Sequence, residues 1–242
     1  MKRKLILLVF VVLGIMAGCA GKIEEQYIDV NGVNLAYVQQ GEGKPLILLH
    51  GGGGSCHSFD HIIDRLSKNY TVYAIDSRGQ GKSSAASEYN YQDMADDVEA
   101  FIKEKQLERP ALYGFSDGGI TGIILASQHP ELLSALMVSG ANLYPEGIKD
   151  EDRLAMEKSY SVTGDPLLKM EITQPHLTAE DLRKIKIPVL VTAGSDDMIK
   201  ESHTRFIAEN IALSQLNILE GESHTSYVLE STIIADLIED FL

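Results

Sequence analysis

The sequence predicts an α/β protein: a doubly wound, mostly parallel sheet with an N-terminal hairpin and a short helical cap. Three observations predict it. Asn31-Gly32 separates two strand-like runs, which is the strongest short hairpin signal. Apolar strand-length runs then alternate with amphipathic helix-length runs, the pattern of parallel strands joined by helical crossovers. Residues 142–180 break that rhythm with eight acidic and four basic residues and prolines at 145, 166 and 175, as expected of an insertion over the sheet.

Tyr27–Val30 and Val33–Gln39 are the hairpin strands, and Gly41–Pro45 is a turn. Leu46–Leu49 is apolar at every position, which marks a strand buried on both faces. It runs into His50-Gly51-Gly52-Gly53-Gly54. A helix near Phe59–Lys68 precedes strand Val72–Ile75. The segment 93–105 places Met94, Val98, Phe101 and Ile102 on one helical stripe. Strand Ala111–Tyr113 leads through a glycine-rich turn into an apolar helix ending near Ser127. Further strands are expected over 135–140, 187–194 and 215–221, with a helix over Glu201–Ile211 before the last. Tyr227–Leu242 is expected to form one amphipathic helix.

The predicted organisation is a leader over 1–18, a short tether over 19–26, and one domain over 27–242 with the cap at about 142–180. Lys2, Arg3 and Lys4 precede the apolar run Leu5–Met16, and small residues follow. That run is too short to span a bilayer comfortably, which takes roughly 20 residues. IMAGCA resembles the lipobox of bacterial lipoproteins, with Met16 where leucine is usual. The resemblance implies cleavage before Cys19, lipidation of Cys19, and anchoring on the extracytoplasmic face of a bacterial cell membrane. With only two cysteines in the chain, Cys56 is then left without a partner and no disulfide framework exists.

The formal charge of −14, carried despite the basic leader, disfavours nucleic acid and anionic headgroups as partners. No Cys/His spacing suits structural zinc, and no metal or organic cofactor is implied. GQGKSS ends like a phosphate-binding loop, but Asp76 stands where that motif requires glycine, and Cys56 and His57 close HGGGGSCH where G-x-G-x-x-G requires other residues.

The turn after 111–113 reads GFSDGG. G-x-S-x-G alone is weak evidence, but here it lies between a strand and a helix, the setting of a nucleophile elbow. Ser116 is the candidate nucleophile, flanked by Gly114 and Gly118. A serine hydroxyl needs a base, and the base an orienting acid. His224, just after the last strand, is the candidate base. Asp197 is the candidate acid, with Asp196 the alternative; Gly194 to Asp197 and Gly221 to His224 share one spacing. His50 is expected to support the glycine loop, and His176 is a candidate lining residue from the cap. The oxyanion of acyl transfer needs two aimed N–H groups. The amide of Asp117 is one candidate, and that of Gly52, with Gly53 as alternative, is the other. The Asp117 side chain has two readings. It favours the first helical turn by about 0.3–1 kcal/mol, or it contacts the substrate.

Together HGGGG, DSRGQGKS, GFSDGG, GSDD and GESH resemble the α/β-hydrolase superfamily over essentially the whole mature chain. Residues 113–144 are similar to the valacyclovir hydrolase (biphenyl hydrolase-like) branch of serine esterases. That resemblance implies a small ester substrate, α-amino-acid esters by preference, with Asp117 holding the substrate ammonium. It also leaves a proline-iminopeptidase-like peptidase, a carbon–carbon bond hydrolase, or a non-catalytic ligand-binding surface lipoprotein as alternatives. The cap is shorter than is typical of the branch.

Overall fold

The computed structural model describes residues 24–86 and 88–242; the leader, Cys19 and the start of the tether lie outside them. Strands β1 (Glu25–Val30) and β2 (Val33–Gln40) form the hairpin, joined by Asn31 and Gly32, both at positive φ. β1 begins two residues before the apolar pattern places it. Glu25 pairs with Val38 in the register, and its carboxylate meets Lys82 at 2.6 Å and His57 at 2.9 Å.

Strands β3 (Lys44–Leu49), β4 (Tyr70–Ile75), β5 (Ala111–Phe115), β6 (Ala135–Ser139), β7 (Val189–Asp196) and β8 (Ser214–Ser223) follow. The sheet order is β1-β2-β4-β3-β5-β6-β7-β8, antiparallel at the hairpin end and parallel from β4 onward. The alternation of side chains along a strand explains the unbroken apolar run in β3. Ile47 and Leu49 enter the core beneath α2 (Tyr91–Glu104), α3 (Asp117–Gln128) and α7 (Glu201–Glu209). Leu46 and Leu48 enter the opposite core, beneath α1 (Asp60–Leu66), α8 (Ser226–Leu229) and α9 (Ile233–Phe241). In α2 the expected stripe of Met94, Val98, Phe101 and Ile102 is buried, and the Asn90 side chain caps the helix by accepting from the Asp93 amide.

The C-terminal segment forms two helices instead of one. Ser231 breaks it: its hydroxyl donates to the Tyr227 carbonyl and accepts from the Ile233 amide, competing with the helical ladder.

Between β6 and β7 stand α4 (Asp150–Thr163), α5 (Pro166–Thr173) and α6 (Ala179–Lys184). α4 buries no side chain, whereas Leu182 of α6 is fully buried in the core with α3. The cap proper is therefore α4 and α5, and α6 returns the chain to the body. The foot of the cap is stitched to the β7–α7 loop by a bridge between Ile148 and Ile199 and by Lys149 N–H donating to the Met198 carbonyl. Among the described residues no helix is long and apolar enough to cross a membrane.

Candidate active site

β5 turns into α3 at Ser116, which has φ 52° and ψ −115°. A non-glycine residue there costs about 1–3 kcal/mol and persists only where its surroundings hold it. Its amide donates to the Ser139 carbonyl at 2.8 Å and its carbonyl accepts from Ile120 at 3.0 Å. The flanking glycines are required by contact. A Cβ on Gly114 would lie 2.2 Å from the Gly118 carbonyl oxygen, and one on Gly118 would lie 2.3 Å from that of Leu49.

The parallel strands end at one rim, which brings distant residues together. His224 follows β8 with its Nε2 3.2 Å from the Ser116 Oγ. Its Nδ1 is 2.7 Å from Asp197 Oδ1, which also accepts the Ile199 amide at 2.8 Å. Asp197, 1 % exposed, is an acceptor there, so Nδ1 carries the proton and Nε2 is left to accept from the serine. Asp196 is exposed and paired with Ser223 across a register shift between Gly194 and Asp196. The irregularity turns Asp197 inward and leaves Asp196 outside the site. Gly140, at the end of β6, abuts the ring: a Cβ there would stand 2.7 Å from His224 Cε1.

The glycine loop after β3 is held from below by His50. Its Nδ1 lies 2.7 Å from the Gly51 carbonyl and its Nε2 accepts the Ser77 amide at 3.0 Å. Burial lowers its pKa and keeps it neutral, as that pairing requires. The loop's amides are not equivalent. Gly53 N–H donates to Gln80 Oε1 at 2.7 Å, and Gly118 N–H to the His50 carbonyl at 3.1 Å. Among the described residues the amides of Gly52 and Asp117 have no such partner. Gly52, not Gly53, is thus left with an N–H to offer beside Ser116.

The Asp117 side chain turns into the site. It is 5 % exposed, and its Oδ1 accepts the Tyr91 hydroxyl at 2.7 Å. Its Oδ2 is buried without a partner among the described residues. Burial raises its pKa to about 6, against the opposing effects of the Tyr91 hydrogen bond and His224. Facing it from α5 is Glu171, whose pKa is raised to about 8 by burial and by the negative charges of Asp117 and Asp165. Sequence reasoning missed Glu171 and Tyr91. The available signal for Glu171 was a lone acid between Met170 and Ile172 in the apolar helix PLLKMEIT.

Ser116, His224, Gly52, Asp117, Tyr91 and Glu171 line a cavity of about 250 Å³. Ile148, Met156, Met198 and Ile199 form its apolar wall. His176 is exposed and stands outside this lining, so it does not play the part its position in the cap suggested. His203 is buried at the cap's foot, where burial lowers its pKa to about 4 and its Nε2 accepts the Leu143 amide. Cys56 is buried and has no disulfide partner among the described residues, and burial pushes its thiol pKa up. No group of three His, Cys, Asp or Glu side chains among the described residues could hold a metal ion. The arrangement can take a proton from a hydroxyl, hold it next to an apolar cleft, and offer two amides to a developing negative charge.

Known proteins agree with this architecture. The chain is 28% identical over 249 residues to the human serine hydrolase BPHL, covering 89% of this chain and 85% of that protein. It is 25% identical over 225 residues to 2-hydroxy-6-oxo-6-(2'-aminophenyl)hexa-2,4-dienoic acid hydrolase of Metapseudomonas resinovorans, covering 75% and 78%. The fold superposes on the enol-lactonase from Burkholderia xenovorans LB400 with a TM-score of 0.75 at 20% identity, covering 89% of this chain and 99% of that one. The family model for the alpha/beta hydrolase fold matches residues 44–166, just over half of the chain. That match runs from β3 to the start of α5 and takes in the glycine loop and the elbow. The chain belongs to the alpha/beta hydrolase fold family, a family of hydrolases.

Proposed function

We propose that the protein is a serine carboxylesterase of small esters, with α-amino-acid esters as its preferred class. The observation that carries the reading is His224 standing between the Ser116 hydroxyl at 3.2 Å and the buried Asp197 at 2.7 Å. Ser116 Oγ attacks the ester carbonyl as His224 Nε2 takes its proton. Asp197 holds the imidazole in the required tautomer and stabilises the imidazolium. The Gly52 and Asp117 amides donate to the oxyanion. His224 then protonates the departing alkoxide, and a water activated by the same nitrogen releases the acyl group.

The Asp117 carboxylate supports the finer reading. A negative charge ~6 Å from the oxyanion opposes it by roughly 3 kcal/mol at an effective dielectric of about 20. A substrate ammonium at the unpartnered Oδ2 removes that opposition, so the carboxylate selects for it. Hydrolysis of matched alanyl and propionyl esters by the full chain in detergent tests this. The wild type is expected to prefer the alanyl ester, and Asp117→Asn to reduce the preference by about 10- to 100-fold, as for a lost hydrogen bond to a charged group. An unchanged preference would remove the ammonium role.

We further propose that Cys19 is the lipid attachment point and that the domain works on the extracytoplasmic face of a bacterial membrane. The basic, apolar and small-residue succession of the leader supports this. Two or more acyl chains anchor stably where one does not. In detergent phase partitioning the wild type is expected in the detergent phase and Cys19→Ala in the aqueous phase; equal partitioning would refute the anchor.

A further inference from the structure

We propose that Glu171 of α5 is the second half of the ammonium site. With Asp117 it forms a two-carboxylate clamp for a substrate amine that brings at least two N–H donors, a free primary or secondary ammonium. N-acylated and quaternary analogues are excluded. The proposal rests on the reading of the cleft as an amino-ester site, but it makes separate demands.

The geometry carries it. Glu171 comes from the cap and Asp117 from the body, and both carboxylates reach one point beside the glycine loop. A Cβ on Gly52 would lie 2.1 Å from Glu171 Oε1 and 3.0 Å from Asp117 Oδ2. Because Gly52 has no side chain, the Glu171 carboxylate has room to come up against the glycine loop beside Asp117. Asp117 has spent Oδ1 on Tyr91, and its buried Oδ2 has no partner. Neither acid is in an ion pair among the described residues. The other titratable groups that face the pair are Tyr91 of α2, Asp165 at the start of α5, and His224 across the cleft. Among the described residues no lysine or arginine lines the cavity.

Two carboxylates side by side in a buried cleft cannot both ionise without a cation. The raised pKa values of about 6 and about 8 reflect this and leave the empty pair holding a proton near neutral pH. A substrate ammonium replaces that proton. It brings positive charge and, unlike a proton, two or three donors aimed in different directions. One N–H reaches Asp117 Oδ2 and another reaches Glu171. A trimethylammonium brings the charge without the donors, and an amide brings one donor without the charge.

The test uses the full chain in detergent, with alanyl, N-acetylalanyl, trimethylammonio and propionyl esters of one alcohol, and the variants Glu171→Gln and Asp117→Asn. Glu171→Gln is expected to weaken the alanyl reaction by about 10-fold or more, as for a lost charge-assisted hydrogen bond, with the loss in KM more than in kcat. The propionyl reaction is expected to fall by less than the alanyl one, because without an ammonium Glu171 is already protonated near neutral pH and glutamine takes no charge away. Calorimetric titration of L-alaninamide into Ser116→Ala supplies a readout free of turnover. Its affinity is expected to fall by about 10-fold when Glu171→Gln is added.

Melting provides a third readout. Glu171 ionises at about 8 in the fold instead of its ordinary 4.5, so its contribution to stability is full below 4.5 and is lost as pH rises through 8. Glu171→Gln is therefore expected to melt above the wild type at pH 9, with the gain shrinking toward pH 4.5.

Three results would overturn the clamp. The alanyl preference could vanish in Asp117→Asn yet persist in Glu171→Gln. All four esters could slow equally in Glu171→Gln, the mark of a packing role. The trimethylammonio ester could react as well as the alanyl ester. If the wild type cleaves no ester but binds L-alaninamide through Glu171, the clamp stands and the esterase reading falls.

Discussion

Ser116→Ala is expected to reduce kcat/KM for ester hydrolysis by about 10⁴-fold or more while leaving the melting temperature within a few degrees of the wild type. The size follows from what is removed. The proton path from Oγ to His224 Nε2 and on to Asp197 has no substitute within reach: Tyr91 is spent on Asp117, and Cys56 is buried with a raised pKa. What remains is binding and the two amides of the oxyanion site, which in such enzymes leave a residual rate above that in water. The fold is spared because, among the described residues, the serine hydroxyl hydrogen-bonds the histidine alone, and alanine tolerates φ 52° no worse than serine does. Steady-state kinetics beside a thermal melt decide the matter. Retention of more than about 1% of the rate would mean that another nucleophile does the work, since loss of a triad nucleophile ordinarily costs far more.

Gly118→Ala is expected to have the largest effect on stability, about 4 kcal/mol or more, enough to leave the chain largely unfolded or melting well over 10 °C lower. The added methyl would stand 2.3 Å from the Leu49 carbonyl oxygen, 2.6 Å from its carbon and 2.7 Å from its Cβ. Two of those atoms are backbone of β3, the central strand beneath the elbow, and they cannot step aside without parting β3 from β5. Gly119→Ala supplies the contrast one position on. Its Cβ would meet the Ala141 side chain at 3.0 Å and the Gly114 oxygen at 3.1 Å, so a few tenths of an ångström relieve it. Denaturant titration of the two variants measures the difference. Equal midpoints would mean that the close passage of β3 and α3 is not what makes the elbow glycines necessary.

The elbow was legible because its requirements are local. Small residues two before and two after a serine, between an apolar strand and an apolar helix, describe a tight turn wherever it occurs. The strand order was legible for a related reason, since unbroken apolar runs such as Leu46–Leu49 belong to strands covered on both sides. Asp197 and His224 could be named from their places after β7 and β8, although only the register shift at Gly194/Asp196 separates Asp197 from Asp196.

What could not be read depends on contacts between segments far apart in the chain. The choice of Gly52 over Gly53 turns on Gln80, which comes from the loop after β4 and occupies the Gly53 amide. The state of Asp117 turns on Tyr91, 26 residues earlier. Glu171 showed locally only as a lone acid between Met170 and Ile172, and what it faces is set by where the cap lands on the sheet. The break after Leu229 turned on two hydroxyl hydrogen bonds, which an apolar stripe continuing to Ile238 conceals.

The cap leaves and re-enters the domain between β6 and β7, neighbouring strands in the sheet. Among the groups lining the cavity, Met156 and Glu171 belong to its two helices, whereas Ser116 and His224 sit at strand ends. One continuous stretch of the chain thus supplies Met156 and Glu171, whereas Asp117 and the residues at the strand ends come from separate stretches of the body. A change of length or sequence within the cap stretch alters its share of the cavity lining without touching the strand ends that carry Ser116 and His224.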